Sequence, residues 1–343
     1  MSAKGLSTFP TREMLPDWKN LLGAVLNGWE KDGTGVVISA DVDGLMSCAL
    51  LALKYPVHVV GIYTTTHLIL LDGCSAQDAA NALWLDHDVS EIGVRCVGQH
   101  LVQLHPTDQM PLREPTSFNP NVWASQSWID SFRGRAGKKR DKYPYGTCHF
   151  IANYVGVDPG KSIGTLTALL AHADGTWRTV VDYEQNAVSW YDLMFEGDVF
   201  LKFLREEWHS NPTALECHRA TIEELLACGV SAQASRARIA ELLPENLKAL
   251  TGRQGVRYLP ANQATYVEKI SKILDYCAKA VGSHPTMGVE PTSTISGVVD
   301  SPYPNKILNF DEFMVENAIF SHAFTDQRSL KFTTGIKLAD PKS

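Results

Sequence analysis

The chain has no apolar run of about 18 residues, the length a helix needs to cross a hydrocarbon core. Its opening stretch, MSAKGLSTFPTREMLPDWKN, has no apolar centre of the kind a secretory signal needs. The seven cysteines are scattered and form no CxxC pair, which argues against a zinc ribbon or a disulfide framework. Positive charge is not in excess: 31 Lys and Arg face 38 Asp and Glu, a formal charge of −7, so a surface coated for duplex DNA is not expected. Internal repeats and low-complexity tracts are missing too. These absences leave a soluble, cytoplasmic protein with no membrane partner as the expectation. At 343 residues and 44% hydrophobic, the chain can bury a sizeable core and suggests two or three domains.

What is present in the first half is an alternation of strand and helix. GVVISA, VHVVGIY, HLILLD and ALWLDH read as apolar strands, with a shorter GVRCVG after them. Between them, Leu45, Cys48, Ala49 and Ala52 recur at helical spacing. Apolar strands separated by helices indicate α/β architecture, a doubly wound parallel sheet covered on both faces. From about Asn119 the pattern turns helical, and GSHPTMGVEPTSTISG reads as a loop or boundary. The expected organisation is an α/β domain over 1–195, a helical connector over 196–282 and a small C-terminal α+β domain over 283–343.

Three of the apolar strands end in acid: Asp41 and Asp43 after the first, Asp72 in LILLDG, and Asp86, His87 and Asp88 in LWLDHD. Asp174 in LLAHADGTW could close the same cluster. If the strands lie side by side and parallel, four or five carboxylates and an imidazole converge where α/β sheets bind ligands. Such a group repels itself unless cations hold it, and hard oxygen donors with one histidine suit Mn²⁺ or Mg²⁺. Each element is weak alone, since Asp and Gly are common turn formers. A calcium loop is excluded, because Leu50 would stand where a bidentate Glu is required. A haloacid-dehalogenase-type phosphatase stays a minor alternative, with Leu45 at the position usually Thr or Val. GVDPGKS has one residue too few between its glycines for a phosphate-binding loop.

Taken in order, ADVDGLMS, LILLDGC, LWLDHD, FNPNVW, YPYGTCHFIANYVG and LLAHADGTW resemble the DHH phosphoesterase superfamily, and within it the RecJ-like single-strand exonucleases, over roughly residues 35–180. The resemblance implies that Asp41, Asp43, Asp72, His87 and Asp174 are metal ligands, with Asp72 bridging two Mn²⁺ (or Mg²⁺) ions. It implies Asp86 as the group orienting the His87 ring. It departs from the family at two positions: Asp88 replaces the second histidine of the Asp-His-His motif, and Ser39 replaces a usual His or Asp ligand. Asp88 then becomes an added ligand or catalytic group, or activity is weakened. His149 could supply the missing imidazole at a helix start, or be a buried helix histidine.

The segment FRGRAGKKRDK, with Lys138, Lys139 and Arg140, reads either as a solvated loop or as a track for a nucleic-acid backbone. DQRSLKFTTG faintly resembles the family's substrate-binding strand and would bring Arg328 or Lys331 near substrate, although the Gly-Gly-Gly-His motif that usually follows is absent. The leading expectation is a two-metal phosphodiesterase acting on single-stranded DNA or short oligonucleotides. The alternatives are a hydrolase of cyclic dinucleotides or other small phosphoesters, and a catalytically degenerate binding protein. The oligomeric state stays open.

Overall fold

The computed structural model describes residues 12–90, 93–101, 116–124, 142–157, 164–227, 262–301, 307, 310–326 and 329–338. The fold is α/β, with a mixed eight-stranded central sheet and a small three-stranded antiparallel sheet. The strands are β1 (Gly35–Ser39), β2 (His58–Tyr63), β3 (His67–Leu71), β4 (Leu83–Leu85), β5 (Arg95–Val97), β6 (Ser117–Phe118), β7 (Thr286–Met287) and β8 (Pro291–Ser296), then β9 (Val298–Asp300), β10 (Ile319–Asp326) and β11 (Ser329–Thr334). The main sheet runs β6-β5-β4-β1-β2-β3-β8, with β7 also pairing β2. The helices used below are α1 (Trp18–Asp32), α2 (Val42–Leu51), α3 (Ala76–Asn81), α4 (Pro120–Trp123), α5 (Thr147–Val155) and α6 (Thr165–His172).

From β6 to β2 the strands are parallel, as their apolar character predicts. The expectation of a wholly parallel sheet is corrected at β3, which runs antiparallel to β2 and is followed by antiparallel β8. Only Thr64, Thr65 and Thr66 lie between β2 and β3. A parallel return needs a crossover of roughly a dozen residues, so this connection can only be a hairpin. The segment expected to be a loop contributes β7 and β8 to the main sheet, so the separate small sheet starts at β9 and not at 283. Its Thr-rich sequence suits a pleated edge, and Pro291 is tolerated as the first residue of an edge strand.

Adjacent residues of β1 point to opposite faces. Ile38 belongs to the larger core, with Leu22, Trp29, Leu45, Leu170 and Ile270. Val37 belongs to a second core with Val60, Tyr63, Trp84 and Phe320. Phe320, from β10, meets the rings of Tyr63 and Trp84 at 5.8 and 5.4 Å, so the small sheet docks on this second face. The Tyr63 and Ser321 hydroxyls, 2.6 Å apart, close the joint. Among the described residues, no helix is long and apolar enough to cross a membrane.

Candidate functional site

The carboxyl ends of β1, β4, β5 and β6 lie side by side, and the residues just beyond them form one polar centre. Asp41 caps α2, accepting from the Gly44 amide at 3.1 Å. Gly44 is required where the helix leaves the strand: a Cβ there would stand 2.9 Å from the Ser39 backbone nitrogen and strike the Ser39 hydroxyl. That hydroxyl lies 2.7 Å from Asp41 Oδ1 and 3.0 Å from Asp86 Oδ2, and so joins the ends of β1 and β4. The position at which the family resemblance misses a ligand is thus a hydroxyl linking two carboxylates.

Asp43, in the first turn of α2, is 1% exposed and accepts from the Thr147 and Cys148 amides, both at 2.8 Å, at the start of α5. A helix N-terminus, with its free amides and positive dipole end, favours such a carboxylate. Asp86 accepts from the Thr147 hydroxyl at 2.9 Å, and its Oδ1 lies 3.1 Å from His100 Nε2. Asp174, just past α6, is bonded by the Gln99 side-chain amide. Asp86 and Asp174 both have left-handed backbones, φ 59° and 52°, a region that Asp tolerates better than most residues.

The electrostatics follow from this crowding. Burial, then repulsion from Asp86 and Asp174, pushes the Asp41 carboxyl up to about 7. Burial and the same two neighbours, with Asp41 added, push Asp43 well above the carboxylate range. Burial alone would raise Asp86 as well, but His100, His87 and Thr147 together hold it below the usual range. His100 is raised in turn, the attraction of Asp86 outweighing the effect of burial.

Asp72 does not join this centre. Because β3 is antiparallel, its carboxyl end lies at the opposite end of the strands, where Asp72 is exposed and accepts from the Glu290 amide at 3.0 Å. His87 turns away too. Its ring packs edge-on against Tyr63 at 4.9 Å and Trp84 at 6.2 Å, on the second core's face, and burial depresses it to about 4. The imidazole that Asp86 bonds is therefore His100. Asp88 accepts from the His100 and Leu101 amides at 2.7 and 3.1 Å and from the Asn119 side chain, and so ties three strand-end loops together. His149 Nδ1 accepts from the Gly146 amide at 3.0 Å at the buried start of α5, which is the helix-histidine reading; burial lowers it to about 4. Lys138, Lys139, Arg140 and Arg328 lie outside the described residues.

Sequence reasoning missed Gln99 and reads His100 as a structural or exposed histidine. Their signal was position, since GQH follows directly on the apolar RCV of β5. Among the described residues, no three His, Cys, Asp or Glu side chains stand ready to hold a metal ion. In this arrangement the carboxylate oxygens are instead taken up by Ser39, Gln99, Thr147, His100 and the α5 amides. The donor set nevertheless fits a hard cation in kind and charge: Asp41, Asp43, Asp86 and Asp174 lie close enough to repel one another. No family model, curated protein or solved structure matches the chain.

Proposed function

We propose that the chain is a divalent-cation-dependent phosphoesterase of the DHH type, working in the cytoplasm, with Asp41, Asp43, Asp86 and Asp174 as its acidic centre. The observation that carries this reading is the gathering of Asp41, Asp43 and Asp86 at the ends of parallel strands, where the Ser39 hydroxyl joins Asp41 to Asp86 and Thr147 joins Asp43 to Asp86, with Asp174 near enough to repel them. A protein keeps such a group when a cation, and chemistry at it, repays the repulsion. Mn²⁺ or Mg²⁺ suits the oxygen donors. A bound ion of this kind supplies Lewis acidity and a nucleophilic water. In this reading Asp86, on the strand beside β1, would be among the residues that hold the cation, and Asp72 would not.

The chain's own groups have distinct tasks. Ser39 and Thr147 hold Asp86, and Gln99 holds Asp174. The amides at the start of α5 keep Asp43 in place and lend the site positive potential, which favours a phosphoryl group. The substrate class is a phosphodiester: single-stranded nucleic acid or a short oligonucleotide first, a cyclic dinucleotide or other small phosphoester second. A non-catalytic binding protein is the second reading. It is favoured by the number of carboxylate oxygens already taken up by protein hydrogens and by the retreat of His87 to the aromatic face.

The test is Mn²⁺-dependent hydrolysis of an end-labelled single-stranded oligonucleotide, a cyclic dinucleotide and bis(p-nitrophenyl) phosphate. Hydrolysis lost in Asp174→Asn supports the phosphoesterase. No turnover of any of the three by the folded, Mn²⁺-loaded chain overturns it in favour of the binding reading.

A further inference from the structure

The main sheet ends on one side in β6, two residues long, and on the other in β8, six residues long. Among the described residues β8 has a strand neighbour on one side only, β3. The Gly297 amide donates to the Thr66 carbonyl at 2.7 Å, so Gly297 faces β3. By the alternation of an antiparallel ladder Ile295 and Ser293 face it too, and the main-chain groups of Thr292, Thr294 and Ser296 point away from the sheet. Thr292, Ser293 and Ser296 are exposed, so this edge is open to solvent. We propose that β8 is a contact between two copies of this chain, which pair antiparallel along it about a two-fold axis at Thr294 and join their main sheets into one. The inference is independent of the phosphoesterase reading.

Three features single out a second copy as the occupant. The first is the lack of protection. Exposed edges are ordinarily blunted by lysines, inward-pointing charges, prolines or bulges. Between Thr292 and Val299 there is no charged residue and no proline, and the register with β3 is regular from Ser293 to Ser296. The second is self-complementarity. With the axis at Thr294, Thr292 of one copy stands opposite Ser296 of the other and Thr294 opposite its own counterpart. The outward-facing residues of both strands then meet and exchange roughly six main-chain hydrogen bonds. The third is charge. The same register sets the flanking Glu290 and Asp300 against Val298 and Gly288 of the other copy, so no like charges meet although each chain carries −7.

Two exposed valines stand at the ends of the same edge, Val289 at 61% and Val298 at 67% exposure. The axis carries Val289 of each copy to the Val298–Val299 end of the other, which gives the pairing an apolar rim. Pairing of β8 with itself also closes the assembly, whereas pairing with a different edge would run head to tail, and β6 is too short to match it. Because β8 runs parallel to β1, an antiparallel pairing reverses β1 in the second copy. The two acidic centres then lie toward opposite ends of the joined sheet, and neither obstructs the other.

The experiment is sedimentation equilibrium of the full chain, with circular dichroism to check the fold of each variant. Edge pairing makes a small interface, so the expected Kd is on the order of 10 μM and the series runs from about 1 to about 200 μM. The mass of the parent should rise across it from 37.8 kDa toward twice that value. Ser296→Pro removes an outward amide and leaves the bonds to β3 in place, so it should weaken the dimer at least about tenfold. Thr292→Lys combined with Ser296→Lys sets lysine against lysine and should leave a monomer. Mixing that chain with one carrying Thr292→Glu and Ser296→Glu should restore a dimer of the two. A parent that stays monomeric at about 200 μM overturns the inference, whether the edge then takes an extended peptide or only water. A dimer unchanged by Ser296→Pro and by the lysine pair overturns it as well, because the contact then lies elsewhere.

Discussion

Replacing Gly146 by alanine should unseat Asp43. A Cβ at position 146 would lie 2.6 Å from Asp43 Oδ2 and 2.8 Å from both Oδ1 and the carboxyl carbon, well inside van der Waals contact. The carboxylate would have to withdraw from the Thr147 and Cys148 amides, each now 2.8 Å away. A buried donor left without its acceptor costs about 1–3 kcal/mol, so losing both amide bonds costs about 2–6 kcal/mol. At about 2–4 °C per kcal/mol, the midpoint of thermal unfolding should fall by roughly 4–24 °C. Gly164 is a matched control: it precedes α6 as Gly146 precedes α5, and among the described residues nothing lies within 4 Å of its Cβ position. Gly164→Ala should therefore cost less than about 1 kcal/mol. Urea and thermal unfolding of both variants measure the difference. If Gly146→Ala unfolds within about 0.5 kcal/mol of Gly164→Ala, the carboxylate contact is not what ties α2 to α5.

Asp72→Ala should leave Mn²⁺-dependent hydrolysis unchanged and cost about 1 kcal/mol through the lost Glu290 amide bond; a dead enzyme would return Asp72 to the site. Asp41 predicts a loss of stability on the alkaline side. Its carboxyl is raised from 3.8 to about 7, so the stabilisation it contributes is complete below the lower value and fades as pH rises through the upper one. The cation-free chain should accordingly melt lower at about pH 9 than at about pH 6, and Asp41→Asn should flatten that slope in a melting series. His218 predicts the opposite limb. Its ring is buried, stacked on His172 at 4.1 Å with neither nitrogen hydrogen-bonded among the described residues, and burial lowers it from 6.5 to about 4. Its contribution is complete above 6.5 and is lost as pH falls toward 4, a span of about 3 kcal/mol, which His218→Phe should remove from an acid denaturation curve.

Much of the α/β frame was legible because its signals are local. The apolar run of β1, the capping Asp41 and the helical spacing after Gly44 are each set by neighbours in sequence. The hairpin went unread although its signal is local: three threonines between two apolar strands are too few for a parallel crossover, which alone removes Asp72 from the end of the sheet where Asp41 stands. Strand β8 was hidden. Its Ser, Thr and Pro read as turn, and only pairing with the open edge of β3 makes it a strand.

The sequence by itself determined that acids would end apolar strands, and offered Asp41, Asp43, Asp72, Asp86, His87, Asp88 and Asp174 as candidates for a single centre. Only the tertiary structure decided who keeps their company. Strand order set β5 beside β4 and so put His100 against Asp86, while the face on which the ring after Asp86 lies sent His87 into the aromatic core. Sequence adjacency fixes which residue follows a strand. The direction and neighbours of that strand depend on contacts between segments far apart in the chain, and those contacts form the site.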